Sequence, residues 1–108
     1  MWRGAWHIAQ SAATIALVAP AVEGEFERVQ FDLGQATANI MLTAADLGIG
    51  SGHSAVEDQA LARTLLGLPD GRVCAYLIGL GYPAERPLKP IRKPDRRPFD
   101  EVVHRGSW

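Results

Sequence analysis

Between Gly48 and His53 the chain reads GIGSGH, the stretch best suited by composition to meet a ligand through its backbone. Small residues let a ligand approach closely, and a run of free N–H groups can hold an anion or an electron-rich ring edge. Gly50, Ser51, Gly52 and His53 are therefore candidate binding residues, although a plain turn would carry the same letters. The stretch follows a helical pattern, whereas a dinucleotide fingerprint follows a strand, and it lacks the Gly-Lys-Ser/Thr ending of a phosphate loop. His53 could donate a proton or touch a ring edge, or simply be a solvated histidine. No second His or Cys stands at metal-ligand spacing from it, so no metal site is expected. Cys74 is the single cysteine, which excludes an intrachain disulfide and fits a reducing compartment. Nothing in its spacing from His7 or His104 supports a nucleophile–base pair, and no catalytic side chain is expected. Its neighbours Val73, Ala75 and Leu77 give it a packing role.

A second candidate lies near the C-terminus. Seven of the eleven Lys and Arg residues fall between Arg86 and Arg105. Lys93, Arg96 and Arg97 could grip a phosphate, since a guanidinium offers paired donors matched to phosphate oxygens. A solvated charged tail is the plainer reading. Nucleic-acid binding is disfavoured, because the whole chain carries a net charge of -1 and only Phe99 is interleaved as a stacking aromatic.

Three kinds of element must position these groups. Arg28 to Leu47 reads as a helix that is apolar on nearly every side: Val29, Leu33, Ala36, Ile40, Ala44 and Leu47 recur at steps of three and four, and Phe31, Ala38, Met41 and Leu42 fill much of the remaining circumference. Its polar residues Asp32, Gln35, Asn39, Thr43 and Asp46 form one narrow stripe, so the helix should be buried in a layered domain or in a subunit contact. Gly34 marks either a close backbone or ligand approach or a tolerated helix glycine, and Gly48 is placed for a left-handed C-terminal cap. Thr14 to Val18, ended by Pro20, reads as a strand covered on both faces, and Arg72 to Leu80 is the best strand of the chain. Gly48 to Val56 could be a short strand or an extended loop. Glu57 to Leu66 is an amphipathic helix with Asp58 as N-cap and Leu61, Leu65 and Leu66 turned inward. Gly67-Leu-Pro-Asp-Gly71 signals a helix stop followed by a turn.

From Gly81 onward, prolines at 83, 87, 90, 94 and 98 forbid a regular helix or central strand, leaving an extended arm with one helical turn at Phe99 to His104. The expected organisation is a core over 1–82 and a Pro/Arg-rich arm over 83–108. With 108 residues, 47% of them hydrophobic, the chain suits one globular unit. The N-terminus has an arginine followed by apolar and small residues, but His7, Gln10 and Ser11 interrupt the run, so a cytoplasmic location is expected over secretion.

Taken together, these pieces resemble the FMN-dependent nitroreductase family. The resemblance rests on the strand before Pro20, the helix FDLGQATANIMLTAADLGIGSGH, the segment ALARTLLGLPDG, the strand CAYLIGLGYPAERP and the ending KPDRRPFDEVVH, in that order. It implies an α+β fold with helices packed on a mixed sheet, and a homodimer with FMN at the subunit interface. It also implies ping-pong hydride transfer from NAD(P)H through the flavin to a nitroaromatic, quinone or similar acceptor. Carried over by position, Gly50, Ser51, Gly52 and His53 would lie near the flavin ring or ribityl chain. Arg96, with Lys93 and Arg97 as close alternatives, would hold the phosphate. Only the family's C-terminal half is matched. Its Arg-rich, Ser-containing N-terminal motif has no counterpart, since Arg3 stands alone between Trp2 and Gly4. A chain truncated at the N-terminus is thus expected, either completing its pocket by oligomerising or serving as a non-catalytic structural or dimerisation module.

Overall fold

A computed structural model describes residues 6–85 and 88–108. Trp2 to Gly4, and Arg86 of the basic arm, lie outside that range. The elements in chain order are α1 (Trp6–Ala9), β1 (Ala13–Pro20), α2 (Phe26–Asp46), β2 (Gly50–Ala55), α3 (Gln59–Leu66), β3 (Arg72–Gly81) and α4 (Phe99–Val102).

β3, the most apolar run of the chain, is the central strand of a three-stranded sheet ordered β1-β3-β2. Both neighbours pair with it antiparallel, so the architecture is α+β, with helices on a sheet that is antiparallel throughout among the described residues. The register sets Ile15 and His53 on either side of Ile78, and Thr14 and Gly52 on either side of Gly79. Since side chains alternate between faces, the sheet is sorted into two surfaces. One carries Ile15, His53, Tyr76, Ile78 and Leu80 and meets α2; the other carries Gly50, Gly52, Gly79 and Gly81 and seats α1. The two helices lie on opposite faces.

The ends of these elements follow local chemistry. Gly48 adopts φ +72 just beyond α2, and Gly67 adopts φ +62 as the C-cap of α3, both in the left-handed region that glycine enters without steric cost. Asp58 caps α3 by accepting from the Leu61 amide at 2.9 Å. β1 runs two residues past Val18, through Pro20. An edge strand tolerates proline there because the missing N–H takes nothing from the ladder.

Two expectations fail for one reason. Leu61, Leu65 and Leu66 do not turn inward: they are 54%, 74% and 46% exposed. β1 is not covered on both faces either, since Ala19 is its one buried residue. In both places the chain supplies too little covering surface. α1 has four residues, and α3 reaches the sheet through the polar side chains of Gln59 and Arg63, which bond to the main chain of Cys74 and Arg72. The buried hydrophobic residues are Ala19, Ala44, Cys74 and Ile78. Along α2, Phe31 and Leu42 are 70% and 69% exposed, so the near-uniform apolar helix is open on its outer side. The molecule exposes 9177 Å², where a compact monomer of its mass exposes about 5,900 Å². Its radius of gyration is 16.9 Å, against about 13 Å for a compact domain of this length.

Candidate functional site

The junction of α2 with the sheet forms a groove of about 370 Å³, at the small end of the ~300–1,000 Å³ range of ligand pockets. Its wall along α2 comes from Gln30, Gly34, Thr37, Ala38 and Met41, one side of the helix at steps of three and four, and its sheet wall from His53 and Tyr76. A Cβ built on Gly34 would meet nothing within 4 Å, so the helix backbone is bare to the groove at that point. The Tyr76 hydroxyl donates to Gln30 Oε1 at 2.7 Å and ties the sheet to the helix at one end. Apart from His53, no titratable group but the Tyr76 phenol lines the groove. The surface suits a flat, largely apolar ring with polar edges.

The opposite face carries a cleft of about 860 Å³, bordered by His7, Gln10, Ser11, Tyr82 and Glu85. Gly50, Ser51 and Gly52 lie along it. Here the glycines admit protein, not ligand: a Cβ on Gly52 would sit 2.8 Å from the His7 ring, and one on Gly79 would sit 3.1 Å from the Ser11 Cβ. Ser11 is in turn fixed by bonds to the Ile8 carbonyl at 2.7 Å and the Thr14 hydroxyl at 2.9 Å.

The residues nominated from the sequence are thus distributed over three places. His53 is in the groove, and Gly50, Ser51 and Gly52 border the cleft. Lys93, Arg96 and Arg97 stand on the C-terminal arm, where every described residue from Tyr82 onward is exposed. This single chain does not bring the three cations to either cavity. Gln30 and Tyr76 escaped sequence reading, since nothing in the letters pairs residues 46 positions apart. Gly34 was visible as a mid-helix glycine.

Cys74 is fully buried, and burial pushes its thiol pKa up, away from the thiolate a nucleophile needs. Its Sγ–H is directed at the Tyr76 carbonyl, 3.8 Å away. No group of three His, Cys, Asp or Glu residues among the described residues could hold a metal ion. No described helix is long and apolar enough to cross a membrane.

The family model for nitroreductases matches residues 1–82. The chain belongs to the nitroreductase family. A relative from Archaeoglobus fulgidus, whose name pairs NADH dehydrogenase with NAD(P)H nitroreductase, is 37% identical over 81 residues. That match takes in 71% of this chain but 45% of the relative, so the chain spans less than half the length of this nitroreductase-named protein. The fold agrees with a nitroreductase family protein from Clostridium difficile, at a TM-score of 0.69 and 20% identity over 100% of this chain and 70% of the other. It agrees equally with a Clostridium acetobutylicum protein named as an NADH oxidase, at 0.70 and 21% identity over 91% and 60% of the two chains.

Proposed function

We propose that this nitroreductase-family chain serves an NAD(P)H-dependent oxidoreductase that works through bound FMN on a nitroaromatic, quinone or similar acceptor. The observation that carries this reading is the groove between α2 and the sheet, whose floor at Gly34 is bare backbone with room for a planar ring. When bound, FMN supplies reversible two-electron transfer between nicotinamide and acceptor.

In this reading Gly34, Ala38 and Met41 provide the apolar contact of the ring site, and His53 stands at its edge. Gly50, Ser51 and Gly52 continue the same strand beside it. Lys93, Arg96 and Arg97 hold the phosphate, Arg96 foremost. Because these cations line neither cavity in one chain, we assign them to the site of a second copy, in a homodimer built on the exposed side of α2. The arm over 83–108 then acts as a strap on the core over 1–82. The excess exposed surface and the exposed Phe31 and Leu42 support such a pairing, since apolar patches of this kind mark association surfaces. A cytoplasmic location goes with the buried, reduced Cys74.

Titrating the purified chain with FMN and following flavin fluorescence tests the proposal. Saturable quenching is expected, and Arg96→Ala should weaken it by about 1–3 kcal/mol through the loss of a charged hydrogen bond. A well-folded sample that neither carries FMN from expression nor quenches it would overturn the reading and leave a non-catalytic dimerisation module.

A further inference from the structure

Where β1 ends and α2 begins there is a third depression, of about 460 Å³, walled by Pro20, Val22, Val29, Val73 and Ala75 together with Glu23. Its lining is apolar but uncovered: Val22 is 46% exposed, and the Glu23 carboxylate stands in solvent. Glu25 and Glu27 follow at once, so three of the eight acids of residues 1–82 fall within five positions. Charge is divided along the chain. Residues 1–82 hold four Lys and Arg against eight Asp and Glu, a net of -4, whereas residues 83–108 hold seven against four, a net of +3. Among the described residues the ion pairs are Arg28–Glu25 and Arg63–Asp70, so no described cation of the arm meets an acid within its own chain.

The arm offers the complement. Lys89 and Lys93 precede prolines, which biases them to extended backbone, and no helix or strand interrupts residues 88–98. At about three residues per turn in such a chain, Leu88 and Ile91 share one side and Lys89 and Arg92 the next. Leu88 and Ile91 are 47% and 78% exposed. The groove lies at the start of β3, at Val73 and Ala75, but the arm leaves from the far end, after Gly81. β3 rises about 26 Å from Val73 to Gly81, and the chain from Gly81 to Leu88 spans at most about 25 Å. Leu88 could return to its own groove only as a straight segment, and every described residue from Tyr82 onward is instead exposed.

We infer that this groove is the dock for the arm of a second copy: Leu88 and Ile91 seat on Pro20, Val22 and Val73, and Arg92 pairs with Glu23. In a two-fold pair each arm reaches the other copy's groove, so the contact is made twice. The dock adjoins the groove at Gly34, since Gln30 borders both, and Lys93, Arg96 and Arg97 follow the docked segment. The inference takes from the proposed function only that two copies pair, and it needs no flavin.

Sedimentation velocity in about 50 mM and about 500 mM NaCl tests the dock, because salt screens charge pairs at a surface. The wild-type chain should dimerise, with a dissociation constant that rises with salt. Glu23→Lys and Arg92→Glu should each weaken the dimer about ten-fold at the lower salt, and Ile91→Ser should weaken it at both. The chain carrying Glu23→Lys and Arg92→Glu together should recover most of the loss, since the pair is then inverted; a folding defect in either variant would not be recovered in this way. A wild-type monomer, an affinity indifferent to Glu23→Lys, or a double variant no better than the single ones would overturn the dock. Flavin quenching is read separately. A dimer that responds as expected but quenches no FMN keeps the dock and sinks the flavin reading, and quenching by a chain indifferent to both reversals does the opposite.

Discussion

The side-chain amide of Gln59 pairs with the main chain of Cys74 as a strand would. Its Nε2 donates to the Cys74 carbonyl at 2.7 Å and its Oε1 accepts from the Cys74 amide at 3.1 Å. β2 ends at Ala55, opposite Tyr76, and the Val56 amide reaches the Ala75 carbonyl at 3.3 Å. Gln59 thus extends the ladder by one residue after the neighbouring strand has left. Replacing Gln59 with Ala strands two half-buried backbone groups, and denaturant unfolding should show a loss of about 1–3 kcal/mol. Gln59→Glu, which retains the acceptor and loses the donor, should fall between Ala and wild type.

Burial holds the Cys74 thiol above its ordinary pKa, and the sign of the resulting pH dependence is fixed. The folded state retains the proton more tightly than the unfolded one, so this stabilisation is complete below the unfolded thiol pKa of about 8.5. It is lost as pH rises through the folded value. Unfolding midpoints should therefore decline above about pH 8.5, and Cys74→Val should flatten that decline. Iodoacetamide should label the folded protein slowly at pH 8 and rapidly once denaturant is added.

Gly34 and Gly67 should respond oppositely to alanine. Gly67 sits at φ +62, where a Cβ is strained, and Gly67→Ala should cost roughly 1–2 kcal/mol of stability. Gly34 lies inside α2 with open space at its Cβ position, so Gly34→Ala should raise stability by roughly 0.5–1 kcal/mol. Under the proposed function that same methyl projects into the groove and should lower flavin affinity. Thermal melts beside fluorescence titrations separate the two effects; higher stability with unchanged affinity would remove Gly34 from the ring site.

Phe31 and Leu42 are the most exposed large apolar side chains of α2. If this side pairs with a second copy, Phe31→Asp should shift the protein toward monomer in sedimentation velocity. Flavin quenching should weaken in parallel, because the phosphate grip would be separated from the groove. An unchanged sedimentation profile would mean that α2 is not the contact.

The helices and strands were legible where short-range chemistry decides them. Asp58 caps α3, Gly48 and Gly67 end their helices in the left-handed region, and the apolar run from Arg72 is the strand expected there, which the structure sets at the centre of the sheet. The continuity of α2 was likewise written in its three-and-four spacing. What escaped was set by what the chain packs against. The spacing of Leu61, Leu65 and Leu66 predicts an inward face, but periodicity says only which residues share a side, not whether a surface exists to receive them. The same limit applies to the site. The glycines of GIGSGH announced a close approach, and the structure gives Gly52 one, from the His7 ring. The groove on the other face depends on a contact between Gln30 and Tyr76 that no local pattern encodes.

With β3 in the middle, β1 and β2 each present an outer row of main-chain donors and acceptors to solvent among the described residues. β1 carries no charged side chain from Ala13 to Pro20, and charge is a usual safeguard on such an edge. Concentrated preparations, or chains caught part-way through folding, therefore have a template for lateral stacking into filaments. A lysine placed on β1, for example at the exposed Thr14, would be the natural remedy for handling the protein in solution.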